Sequence, residues 1–161
     1  MSVVDFKRVE NDDKNKSTHS KKLEWLIRDF IAQNGCTYYD DEIYEGILKS
    51  YFMLNNNIAV EKEIIIREVD CVCITTLSVT LKPDEKMYSG KLFDLLYELN
   101  EINCLLDYGH FEYRSANGDI RFKTSYEPNG TVCFEDLDKF LGYSSFAINK
   151  YGERILKALE E

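Results

Sequence analysis

Between Leu92 and Tyr126 the apolar residues change from a helical period to a strand period, and this switch constrains the chain more than any other stretch. Leu92, Leu95, Leu96, Leu99 and Ile102 recur at threes and fours, which places them along one side of a helix over about 89–102. Phe93 and Tyr97 form an i, i+4 pair shifted off that stripe, so both are expected to be partly exposed. Asn103 suits a left-handed helix exit. Beyond it, residues alternate about Asn117-Gly118, the signal of a two-residue hairpin turn. In that register Tyr113 faces Phe122, Phe111 faces Thr124 and Ser115 faces Ile120. The other side then pairs Glu112 with Lys123 and Arg114 with Arg121. Facing arginines weaken a sheet unless they are solvated or an acidic group sits over them; solvation is the expectation.

The flanking segments extend this unit. Ser20 can cap a first helix over about 21–34, with Leu23, Leu26, Ile27, Phe30 and Ile31 at helical spacing and Gly35 at its left-handed end. Trp25 and Asp29 fall off that stripe. Three β-rich runs follow, at about 46–54, 58–67 and 71–81, joined by Asn55-Asn56-Asn57 and by a turn at 68–70. Links this short force an antiparallel meander, which Pro83 ends. Ile64-Ile65-Ile66 suggests burial on both faces near the end of the second run. From Phe134, the residues Leu137, Leu141, Ser144, Ile148, Tyr151, Ile155 and Ala158 mark one long C-terminal helix, with Gly142 as a candidate kink. Gly142 and Gly152 each cost about 1 kcal/mol relative to alanine.

The predicted order is α-β-β-β-α-β-β-α: an α+β fold with a mainly antiparallel sheet and its helices on one face. Residues 1–19 carry little apolar material beyond Val3, Val4, Phe6 and Val9, and are expected to form a flexible polar arm before a single domain at 20–161. With 161 residues, one domain with a real core is the natural solution. The net charge of −9 argues against nucleic acid and anionic membrane as partners. There is neither a signal-like apolar segment nor a membrane span, so a cytoplasmic location is expected. The five cysteines are odd in number and lack metal-ligand spacing, which reads as reduced thiols; Cys71 and Cys73 share a strand face and are expected to be buried.

No motif spells out a reaction. His19 lies at the edge of the arm, and His110 shares the polar hairpin face with Glu112, Arg114, Arg121 and Lys123, where a solvated histidine is expected. Asp12-Asp13, Asp40-Asp41 and Glu135-Asp136 lack calcium-loop spacing. Glu135 and Asp136 complement the dipole at the start of the last helix. The sequence therefore nominates no catalytic residue, no metal ligand and no cofactor.

Three groups of residues within and beside the central unit are similar to a known family. Glu98-Leu99-Asn100-Glu101-Ile102-Asn103, Gly109-His110-Phe111-Glu112 and Gly118-Asp119-Ile120-Arg121-Phe122-Lys123 resemble the YbjN-like family of bacterial proteins, which share a helix ending in "LN..N", a "G.F" strand and a return strand. The resemblance implies the fold of type III secretion chaperones, often dimeric and non-catalytic and binding other proteins, in a family described as sensory-transduction regulators. Physically, Asn103 would cap the helix, Gly109 would allow a bend or close approach, and Phe111 and Phe122 would be core.

The reading that follows is a non-catalytic protein-binding module, regulatory or chaperone-like, and a homodimer. Phe93, Tyr97 and the open sheet edge are its candidate interface. The alternative is a small-ligand-binding protein or an enzyme. It requires a pocket between the sheet and the C-terminal helix, lined by Tyr and Cys and holding a titratable group with a shifted pKa. A third reading, an acidic inhibitor that masks a basic partner, rests on charge alone.

Overall fold

A computed structural model describes residues 19–80, 90–128 and 132–160. Most of the expected arm, Pro83 and Asn129-Gly130 lie outside the described residues. The elements are α1 (Lys21–Gln33), β1 (Tyr39–Asp40), β2 (Ile47–Met53), β3 (Ala59–Ile66), β4 (Cys71–Thr80), α2 (Gly90–Asn103), β5 (His110–Arg114), β6 (Asp119–Tyr126) and α3 (Phe134–Glu160). The strands form one antiparallel sheet in the order β1-β2-β3-β4-β6-β5. This is the expected α+β order with one addition: β1 is only two residues long, too short to leave a periodic signal.

The helices begin and end as local chemistry dictates. Ser20 Oγ accepts the Leu23 amide at 3.2 Å at the start of α1, and Gly35 adopts φ +65° just past its end. α3 is one continuous helix, and each of the seven residues of its expected stripe is buried. Gly152 has a packing reason. A Cβ there would lie 2.3 Å from Ile58 Cδ1, because the β2–β3 turn docks on α3, with Asn56 Nδ2 donating to the Ile148 carbonyl at 3.0 Å.

Two expectations for the helix–hairpin unit are corrected. The hairpin pairs Arg114 with Asp119, Tyr113 with Ile120, Glu112 with Arg121, and Phe111 with Phe122, so its loop has four residues and Arg114 does not face Arg121. The Gly118 amide closes the loop onto the Arg114 carbonyl at 2.8 Å, with Gly118 at φ +80°. Because the slip is two residues, every side chain keeps its expected face. Arg121 instead pairs with Glu112. Asn103, the second correction, is not left-handed: it is the last residue of α2, and its amide works as a clamp. Nδ2 donates to the Phe111 carbonyl at 2.9 Å and Oδ1 accepts the Phe111 amide at 2.7 Å. Gly109, at φ +70°, brings the backbone so close that a Cβ would meet the Lys123 carbonyl and the Phe122 ring at 2.8 Å.

All three helices cover one face of the sheet, but the interior is not one continuous apolar body. One cluster joins α2, the hairpin and the second half of α3, through Leu95, Leu99, Ile102, Phe111, Phe122 and Ile148. The other joins α1 to the first half of α3 over Leu48, Ile64, Cys71 and Cys73. Between them runs a polar seam. Ser50, Lys62 and Thr75 are in register across β2, β3 and β4, and Thr124 lies one step on, on β6 beside Cys73. With Ser144 of α3, these are the buried polar side chains of the described residues.

Candidate functional site

The predicted interface residues stand where the off-stripe argument places them. Phe93 is 70% exposed and Tyr97 55%, on the solvent side of α2. Leu96, assigned to the buried stripe, is 46% exposed and joins them; only Leu95, Leu99 and Ile102 of that helix are buried. At the foot of this surface, Arg154 of α3 reaches Glu98 of α2 at 2.6 Å. The sheet leaves β1 and β5 as edges, and Tyr39, Tyr51 and Met53 are exposed at the β1–β2 end.

A second feature lies where the polar seam meets the gap between α1 and α3. A cavity of about 530 Å³ opens there, lined by the end of α1, the segment leading into β1, strands β2 and β3, and the middle of α3. Its walls carry Phe30, Ile31, Tyr38, Phe52 and Leu141, and Cys36 and Asp138 also border it. This is the location, and part of the Tyr and Cys lining, that the small-ligand alternative requires.

At its base is Lys62, only 4% exposed. β3 alternates strictly, and its inward phase reads Val60, Lys62, Ile64, Ile66: an ammonium where the pattern calls for an aliphatic side chain. Lys62 Nζ donates to the Leu141 carbonyl at 2.7 Å and lies 5.2 Å from the Phe52 ring centroid. Among the described residues no carboxylate pairs with it. Burial pushes its pKa below the usual lysine range, against a smaller opposing pull from Cys73 and Cys36. Thr124 Oγ1 donates to the neighbouring Phe140 carbonyl at 2.9 Å, the Thr75 hydroxyl lies beside the Cys73 thiol, and among the described residues the Ser144 hydroxyl has no hydrogen-bond partner.

The signal for Lys62 was present in the sequence as a charge on the apolar phase of a strand, but it sits between Glu61 and Glu63 and reads as part of a charged run. The histidines behave differently from each other. His110 is exposed, 3.6 Å from Glu112, as expected for a solvated face. His19 packs against Gly46 and contacts Glu24 at 2.8 Å, so it belongs to the folded start of α1. Cys71 and Cys73 are buried; burial pushes the Cys71 thiol up to about 12 and Cys73 in the same direction. Cys36, Cys104 and Cys133 are exposed. No helix among the described residues is long and apolar enough to cross a membrane.

Topology and helix placement together define an α+β fold of one antiparallel sheet with its helices on one face. No family model and no curated protein matches the chain. Among solved structures it is similar to YbjN from E. coli, with a TM-score of 0.56 and 15% identity, covering 82% of this chain and 92% of that one. It is also similar to the ExsC–ExsE complex (TM-score 0.49, 12% identity, 83% of this chain and 93% of that one). A third is the HopA1–SchA chaperone–effector complex (TM-score 0.45, 13% identity, 86% and 94%).

Proposed function

We propose that this chain is a non-catalytic protein-binding module, regulatory or chaperone-like, that works as a homodimer in the cytoplasm and presents α2 to a protein partner. The observation that carries the reading is the row Phe93, Leu96 and Tyr97 on the open side of α2. Three adjacent large apolar side chains in water gain by being covered, and aromatic residues are favoured anchors at protein interfaces. The β1–β2 edge of the sheet offers a second mode, addition of a strand from the partner. The YbjN-like fold and the absence of any catalytic motif in the sequence agree with this reading.

The test combines light scattering for mass with capture from lysate, using the full chain and its Phe93→Ser, Tyr97→Ser double variant. The expected result is a dimer, or a specific captured protein, lost in the variant while the circular dichroism spectrum is kept. A strict monomer that retains nothing specific would overturn the proposal.

A further inference from the structure

We propose that the cavity between α1, α3 and the sheet is a binding site for a small amphipathic monocarboxylate, whose charged end pairs with Lys62 and whose apolar body lies between Phe30, Tyr38 and Phe52. The proposal is independent of the α2 surface.

Three observations carry it. First, the geometry is that of a site: about 530 Å³ is within the range of small-ligand pockets, and apolar and aromatic walls surround a few polar groups. Second, Lys62 is buried with one hydrogen bond, to Leu141, although an ammonium has three protons to donate. A buried cation is stabilised by an anion in the same low-dielectric space, and among the described residues no carboxylate takes that place. Third, Ser50 is the cross-strand partner of Lys62 and both line the cavity, so a hydroxyl and an ammonium lie on the same wall. Together they supply two donors for the oxygens of one carboxylate.

The surroundings also set the ligand's charge and shape. Asp138 is exposed and borders the cavity, and the chain as a whole carries −9, so a second negative charge on the ligand would be repelled. Phosphates and dicarboxylates are therefore disfavoured. The Phe52 ring already lies against the Lys62 ammonium, and with Tyr38 and Phe30 it suits a flat or slender apolar body, such as an aryl or medium-chain alkyl acid.

Calorimetric titration of the full chain with phenylbutyrate and octanoate, against phenylbutanol and octanol, tests the proposal. The acids are expected to bind at least about tenfold more tightly than the alcohols, the scale of one charged hydrogen-bonded pair. Lys62→Met should remove the preference for acids while the protein stays folded. Gly142→Leu should weaken both acids, since Gly142 borders the cavity and a Cβ there meets only Asp138 Oδ1, at 3.9 Å. No binding of either acid, equal binding of acids and alcohols, or an unchanged preference in Lys62→Met would each overturn the proposal. Binding of a peptide through its free C-terminus, with no binding of the short acids, would also overturn it and assign the cavity to a protein partner.

Discussion

Asn103 holds Phe111 by both of its backbone polar groups, donating to its carbonyl at 2.9 Å and accepting from its amide at 2.7 Å. A side-chain amide thereby takes the place of a neighbouring strand at the free edge of β5. It also fixes the distance between the end of α2 and the hairpin, so the motif residue is a structural clamp.

Asn103→Ala leaves the amide and carbonyl of Phe111 without these partners. The expected loss is about 1–3 kcal/mol, the usual cost of removing such bonds at a half-buried site. Urea unfolding would measure it, and an unchanged midpoint would contradict the clamp.

The two glycines of α3 should respond oppositely to the same change. Gly142→Ala meets no close atom and gains helix propensity, an expected stabilisation of about 0.5–1 kcal/mol. Gly152→Ala drives a methyl to within 2.3 Å of Ile58 Cδ1 and toward Asn56. The overpacking should cost about 1–3 kcal/mol. Thermal unfolding of both variants side by side provides the comparison.

Glu24 should make part of the stability acid-labile. Its burial raises its pKa, but hydrogen bonds from His19, Arg28 and Lys21 outweigh that and bring it down to about 2. A carboxylate with a depressed folded pKa adds stability above its unfolded value near 4.5, and loses it as pH falls toward 2. Glu24→Gln should therefore destabilise the protein near neutral pH by about 1–2 kcal/mol, allowing for solvent screening. The gap from wild type should close on acidification, and a gap that is constant with pH would refute the assignment.

The hairpin register is open to a charge test. A double-mutant cycle on Glu112 and Arg121 should give a coupling of about 0.5–1 kcal/mol, because the two face and pair. Asp119→Arg should add a like-charge penalty of a few tenths of a kcal/mol, since Asp119 faces Arg114. A two-residue loop would put Asp119 opposite Ala116 and remove that like-charge penalty.

The same residues show how far the sequence alone reaches. Periodicity located α1, α2, α3, the meander and the hairpin, because burial on one face leaves a repeat that survives every change of detail. The turn register did not follow, since Asn117-Gly118 serves a four-residue loop as well as a two-residue one, and both keep Phe111, Tyr113, Ile120 and Phe122 inward. Phe93 and Tyr97 were legible as off-stripe aromatics, whereas Leu96 lies on the stripe's margin, where the helix has already turned toward solvent. Lys62 was missed for a different reason. Its setting depends on Ser50 and Phe52 of β2, Thr75 of β4 and the Leu141 carbonyl of α3 meeting around it, and such convergence has no local pattern.

The polar seam has a consequence for how the molecule opens. Two apolar bodies joined across a row of hydroxyls and one ammonium share less attraction than a single body of the same size would, and α3 is the helix that spans both. Sub-global opening follows such weak boundaries. Amides of α1 should therefore exchange with solvent through a lower-energy excursion than those of β4 and β6. The half that carries the cavity would then breathe while the helix–hairpin half stays closed.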